Sequence, residues 1–154
     1  MRQIYLEKTV NYNLNLVYRV VNDIESYPIF LPWCKELIIV RSVPEEHLRI
    51  AHAIMGIRMF QTKYLCSIIS TLNDTTGVID VKSIEGPFKF LKSKWEISSL
   101  DLNNTHVKFN IQFVLNSIIL EKLAKVWIEY AKTHIMRSFE QRCHALSRLS
   151  ITQC

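Results

Sequence analysis

The residues able to do chemistry in this chain are few and scattered. His47, His52, His106, His134 and His144 form no pair at metal-ligand spacing, and neither HExxH nor CxxC occurs. His47 and His52 are five apart on an expected strand, which turns them to opposite faces. Cys34, Cys66, Cys143 and Cys154 follow no regular spacing, so reduced thiols are expected rather than a disulfide frame. Glycine occurs only at 56, 77 and 86, which excludes a P-loop, a dinucleotide GxGxxG turn and a GxSxG elbow. No catalytic residue and no metal ligand is assigned.

General acid–base work needs a titratable group inside a pocket. The expected strand 47–55, taken as the mate of a later strand at 105–115, places Leu48, Ile50, His52 and Ile54 on one face. That reading sets His52 among apolar neighbours. In the next strand Tyr64 and Cys66 share a face with Phe60 and Ile68, where they either meet a polar ligand group or fill the core. By composition the interior reads as a container rather than a reaction vessel.

The elements that must position these groups follow from periodicity. Residues 2–10 alternate, with Ile4, Leu6 and Val10 on one face. Asn11 or Asn13 caps a helix carrying Leu14, Val17, Val20 and Val21, which must weaken near Tyr27 ahead of Pro28. Strands are expected at about 36–43, 47–55, 58–70, 77–84, 92–100 and 105–115, separated by turn-forming Pro, Asn, Asp and Gly. In the last of them Val107, Phe109, Ile111, Phe113 and Leu115 alternate with polar residues. Short turns between consecutive strands require antiparallel pairing. Residues 117–149 lack Gly and Pro and repeat apolar side chains at three and four, from Leu120 through Trp127 and Phe139 to Leu146. They predict one helix about 45 Å long. Its only broad partner is the sheet, so the expectation is an α+β fold, a curved antiparallel sheet of seven strands wrapped around a long C-terminal helix.

The chain has 154 residues, 49% hydrophobic and 21% charged, which suits a single domain over 1–154 and excludes disordered and fibrous classes. Net charge is +5, and residues 118–154 hold six Lys/Arg against three Glu. The balance leans towards an anionic partner. No apolar run approaches the ~18–20 residues that span a bilayer, and no apolar leader opens the chain, so a cytoplasmic protein touching membranes only from their surface is expected.

The least ordinary stretch is Asp23-Ile24-Glu25-Ser26-Tyr27-Pro28-Ile29-Phe30-Leu31-Pro32-Trp33-Cys34. Two prolines bracket large apolar side chains where polar turn residues are the rule. A stiff aromatic connection suits a rim over an apolar opening, or equally a plug closing one end of the core.

This stretch resembles the signature of the coenzyme Q-binding, START-like family, D-[IV]-E-x-Y-P-x-F-L-P-W-C. Gly86-Pro87-Phe88-Lys89-Phe90-Leu91-Lys92-Ser93-Lys94-Trp95 is similar to that family's G-P-F-…-L-…-W segment. Phe139-Glu140-Gln141-Arg142-Cys143 resembles the F-E-x-R-A end of its last helix, with Cys143 where Ala is usual. The blocks span essentially the whole chain in the family's order. The resemblance implies a helix-grip fold with a hydrophobic tunnel for ubiquinone or a similar isoprenoid lipid, serving respiratory complexes without catalysis. It also implies two alternatives: a ribosome-association toxin of a toxin–antitoxin pair, binding a ribosomal subunit, and a polyketide cyclase-like enzyme drawing on His52, Tyr64 or Cys66.

On the tunnel reading, Tyr27, Phe30, Leu31, Pro32 and Trp33 form the rim. Trp95, Phe109, Ile111, Phe113, Trp127 and Tyr130 form the wall, joined by His52 and Tyr64. Lys122, Lys125, Lys132 and Arg137 offer a surface for anionic lipid, which places the protein peripherally on a bacterial inner membrane. Ubiquinone is then a bound ligand and not a catalytic cofactor, and no DNA partner is expected.

Overall fold

The computed structural model describes residues 1–57 and 59–152. The expected strand start at residue 58 and the thiol of Cys154 lie outside the described residues. The chain opens with strand β1 (Arg2–Val10) and helix α1 (Leu14–Asn22), linked by a tight turn. Asn13 is the cap: its side-chain oxygen accepts the backbone N–H of Leu16 at 2.9 Å. Leu14, Val17, Val20 and Val21 are the buried face of α1, as their spacing requires.

A 3-10 turn (Ile24–Ser26) and a single helical turn α2 (Tyr27–Phe30) lead to six further strands. These are β2 (Cys34–Val43), β3 (Leu48–Ile57), β4 (Phe60–Leu72), β5 (Thr76–Glu85), β6 (Phe88–Asp101) and β7 (Asn104–Leu115). Helix α3 (Ile118–Thr152) ends the chain. One antiparallel sheet runs in the order β1-β7-β6-β5-β4-β3-β2. The α+β reading of the sequence therefore holds, with strand ends displaced by a few residues.

Register shifts interrupt the β2–β3, β4–β5 and β6–β7 ladders. Bulges increase local twist and bend the strand that carries them, so this long sheet curls into a concave wall. Helix α3 crosses that wall, burying Ala124, Ile128, Ala131, Ile135, Phe139 and Cys143 against it. The core lies between the two layers, with α1 covering the β5–β6 flank. There the ring of Tyr18 comes so close that a Cβ on Gly77 would stand 2.5 Å from it. Arg49 on β3 ties the end of α1 down, donating to the carbonyl and side-chain oxygens of Asn22 at 2.9 and 2.6 Å and to Ser70 at 3.0 Å. A cation against the C-terminal carbonyls of a helix also complements its dipole.

Two expectations need correction. The break in the first helical stretch falls at Asp23, not at Tyr27, whose backbone is itself helical (φ −53°, ψ −39°). The usual aversion of a residue before proline to helical geometry is overridden here by tertiary anchoring. The Tyr27 hydroxyl donates to the carbonyl of Val21, and its ring packs edge-on against Phe30 and Phe139 at 5.7 and 5.2 Å. Pro28 meanwhile occupies the first turn of α2, where no N–H donor is required. Strand β3 is also not the mate of β7. It pairs with β2 and β4, while β7 lies between β1 and β6.

Candidate functional site: an apolar cavity between sheet and helix

The change of partners turns β3 over. With β2 and β4 as neighbours, Ala51 and Ala53 face the interior, both with no exposed surface. His52 opposes Ile38 and Leu65 on the outer face of the sheet. It lines neither cavity found between the sheet and α3, so its assignment as a ligand contact there is overturned. The period-two pattern was real, but Leu48, Ile50 and Ile54 form an apolar stripe on the outside, which periodicity alone does not distinguish from a core face.

Two adjoining cavities lie between the sheet and α3. One, about 150 Å³, opens between the β3–β4 turn and the first turns of α3, where Gly56, Phe60, Phe88, Leu120, Leu123 and Ala124 line it. The other, about 120 Å³, lies deeper, walled among others by Tyr27, Leu31, Cys66, Trp95, Phe109 and Phe139. Trp33, Met55, Tyr64, Ile111 and Trp127 face both and form the partition.

Aromatic rings from different elements brace the space. Trp33 meets Trp127 edge-on at 6.3 Å, and Phe113 reaches the same indole at 6.0 Å. Tyr64 contacts Phe88 at 5.4 Å. In the deeper part Trp95 lies 4.5 Å from Phe109 and 4.7 Å from Phe139. Edge-on pairs interlock at these separations and hold one another in place.

The stretch 23–34 resolves into plug and wall, not rim. Leu31 and Trp33 are only 4% and 7% exposed and belong to the core. Tyr27 is half-buried on the deeper cavity. Phe30 packs on Tyr27 and Phe139 with the Arg142 guanidinium 5.7 Å above its ring, and Pro32 is exposed; neither lines a cavity. Of the bulky apolar side chains in this connection, Leu31 and Trp33 enter the core while Ile29 is 70% exposed. Of the expected wall, Trp95, Phe109, Ile111, Phe113 and Trp127 face the cavities. Tyr130 does not. It turns outward, stacked on His134 at 3.9 Å with one edge against Trp33. Lys122, Lys125, Lys132 and Arg137 are exposed along α3, and Lys132 pairs with Glu129 at 3.4 Å. Met55, Phe88, Leu91 and Leu123 also line the cavities, beyond the residues expected from the sequence, and Gln61 and Thr62 add polar side chains at the mouth. Phe88 and Leu91 were visible only within a motif, and Met55 only once the facing of β3 is known.

The polar atoms inside are few and neutral. Burial pushes the Cys34 and Cys66 thiols up to about 11 and Cys143 to about 12. The Tyr27 and Tyr64 phenols are likewise driven upward by desolvation. At neutral pH these groups keep their protons, so they are weak nucleophiles and weak bases. Three hydroxyl-bearing residues, Tyr27, Tyr64 and the 8% exposed Ser93, line the deeper cavity, and the Tyr27 hydroxyl already donates to the Val21 carbonyl. Among the described residues, no cluster of three or more His, Cys, Asp or Glu is arranged to hold a metal ion. What this arrangement can do chemically is enclose an apolar body and offer a hydroxyl to an oxygen on it.

Comparison with known proteins agrees with this geometry. Residues 10–140 match the family described as polyketide cyclase / dehydrase and lipid transport. The chain is 33% identical over 136 residues to a protein of Rickettsia prowazekii named "Ribosome association toxin RatA", covering 88% of this chain and 91% of that one. Among solved structures it is similar to the Zhui aromatase/cyclase of Streptomyces sp. R1128, with a TM-score of 0.77 at 14% identity over 93% of each chain. A START superfamily protein of Mycobacterium smegmatis gives 0.76 at 16% identity, over 94% of this chain and 98% of that one. The fold is the START-like helix grip.

Proposed function

Because the chain belongs to the polyketide cyclase / dehydrase and lipid transport family, we propose that it is a non-enzymatic binder of an apolar, lipid-like molecule held between the sheet and α3. The observation that carries this reading is the pair of adjoining cavities, about 150 and 120 Å³, walled almost wholly by aliphatic and aromatic side chains. Removing apolar area from water gains about 25 cal/mol per Å², so such a site needs no charged anchor. A dry apolar cavity of about 150 Å³ takes up a molecule the size of benzene. Each cavity thus has room for one ring or a short branched segment, and a longer tail extends through the mouth. The Tyr64 and Ser93 hydroxyls suit a ring that carries oxygen, as in an isoprenoid quinone. The protonated thiols and phenols support binding over polyketide cyclisation.

All three tryptophans wall the cavities, which makes the test direct. Organic extraction of the purified protein followed by mass spectrometry should release a lipid, and added ubiquinone should quench tryptophan fluorescence saturably. An empty extract together with no quenching would reject the proposal.

A second reading concerns the partner rather than the ligand. The name printed for the 33% identical relative supports association with a ribosomal subunit, and favours it over delivery of quinone to respiratory complexes. The net charge of +5 is compatible with it. Co-sedimentation with purified subunits that weakens steeply as salt rises would support this role. Its absence at low salt would remove it.

A further inference from the structure

The mouth of the outer cavity carries large apolar side chains that remain exposed. Met59 and Phe60, at the β3–β4 turn, are 94% and 50% exposed; Ile118 and Ile119, in the first turn of α3, are 78% and 62% exposed. Phe60 and Leu120 line the same opening, so these two exposed apolar pairs stand on opposite sides of it. Isolated apolar residues on a surface need no explanation, but a set framing an apolar opening marks an interaction site.

The charges around the opening have one dominant sign. Lys35 lies over Gly56, its Cε 2.9 Å from where a Cβ would stand. Lys122 and Lys125 sit on the exposed side of the same helix turns as Leu123 and Ala124, Lys89 follows Phe88 at the start of β6, and Lys63, opposite Ile54, lies on the outer face of the sheet. All five are exposed, and none has an ion-pair partner among the described residues. Glu36 follows Lys35 and Glu121 precedes Lys122 in the chain, and Glu85 lies opposite Leu65 on β5. Glu121 is already engaged, accepting from Arg2 at 3.2 Å and from the Leu115 backbone N–H at 3.1 Å.

Exposed apolar side chains beside the unpaired lysines of α3 match a surface that is apolar beneath and anionic above. We infer that the mouth of the cavity docks on an anionic lipid bilayer, with Met59, Phe60, Ile118 and Ile119 entering the acyl boundary and Lys122 and Lys125 meeting the phosphates. A molecule then moves between cavity and membrane without crossing water, a consequence that rests on the lipid-binding reading above. A nucleic acid fits the rim less well. Met59, Ile118 and Ile119 gain nothing from a phosphate backbone, and a single exposed aromatic is a poor stacking platform.

The test uses the full chain in a flotation assay with phosphatidylcholine vesicles and with phosphatidylcholine–phosphatidylglycerol vesicles. The wild type should partition onto the anionic vesicles, and salt should weaken it. Each lysine near an anionic surface contributes about fivefold in affinity. Lys122→Glu with Lys125→Glu should therefore lower partitioning by at least ~25-fold. Met59→Ser with Ile119→Ser should lower it about tenfold or more with an unchanged melting temperature, because both side chains are largely solvated. Ile38→Ser, on the outer face of the sheet and 43% exposed, should change nothing. No partitioning at low salt, or equal loss in Ile38→Ser, overturns the inference. So does preferential retention on ribosomal RNA in competition with vesicles, lost in the same rim variants. Extraction and mass spectrometry of the same proteins separates the two readings. Lipid retained without vesicle binding removes the docking face alone, and vesicle binding by a protein that never holds lipid removes the cavity reading alone.

Discussion

The two ends of the cavity are built from the same sheet and the same helix, yet one is closed and the other open. At the closed end, Trp95 and Phe109 from the sheet meet Phe139 from α3 and Tyr27 from the connecting turn, with ring centroids 4.5–5.2 Å apart. Leu31, buried on the deeper cavity, completes the seal. At the open end Gly56 and Ala124 line the cavity beside a half-exposed Phe60, and Met59 is almost fully exposed. The difference teaches that the cavity is set by residue size across the two layers, not by a separate structural device. Where rings from sheet, helix and connecting turn pack on one another the sandwich is covered; beside Gly56 and Ala124 it opens outward.

The contrast breaks most forcefully at the closed end. Trp95→Ala should cost about 3–5 kcal/mol, and Leu31→Ala about 2–5 kcal/mol, in urea unfolding, because each removes a fully engaged core side chain. Losses below 1 kcal/mol would mean that this end is loosely packed and that the stretch 23–34 is a rim after all. The next effect falls at Gly86 in the β5–β6 turn. Gly86 has φ +140°, and a Cβ there would stand 2.5 Å from Tyr64 Cβ and 3.1 Å from its Cα. Gly86→Ala should destabilise by at least ~1–3 kcal/mol of backbone strain. A neutral outcome in thermal melts would show that the β5–β6 turn gives way.

A third, smaller effect distinguishes the ends by pH. Cys34 and Cys66 have folded pKa values of about 11, above the ordinary thiol value. Their protonated form is favoured by folding, so the stabilisation is complete below the unfolded value near 9 and is lost as pH rises towards 11. Urea midpoints should fall between pH 8 and pH 10.5, and Cys66→Ala should flatten that fall. A pH-independent midpoint would indicate that water already reaches the deeper cavity. The smallest change in stability belongs to Leu123→Trp at the mouth, within about 1 kcal/mol, since the added ring enters existing space. Ligand uptake should nevertheless vanish in the quenching titration. Unimpaired uptake would move the binding site elsewhere.

Much of the fold was legible along the chain. The alternation in Val107–Leu115, the Asn13 cap and the three-four repeat of α3 each report a local geometry that one element satisfies by itself. The wall residues Trp95, Phe109, Ile111, Phe113 and Trp127 were legible for the same reason. His52 was not, because alternation shows that a strand has two faces without showing which of them is inside. Tyr130 misled in the complementary way: it follows the apolar repeat of α3 closely enough to read as wall, yet lies just beyond the buried stripe.

What the sequence determined by itself is what depends on neighbours within a few residues: the order and type of the elements, the antiparallel pairing forced by short turns, the want of glycine loops and metal spacings, and the apolar content of the interior. What only the tertiary structure decided is everything that depends on which surfaces meet. That includes the placement of β3 beside β2 and β4, the turning of His52 outward, the burial of Leu31 and Trp33, and the opening beside Gly56 and Ala124. The physical reason is that secondary structure follows from periodicity and local hydrogen bonding. A cavity is instead the volume left over when side chains distant in sequence fail to fill the space between two layers, and that remainder is defined only once both layers are in place.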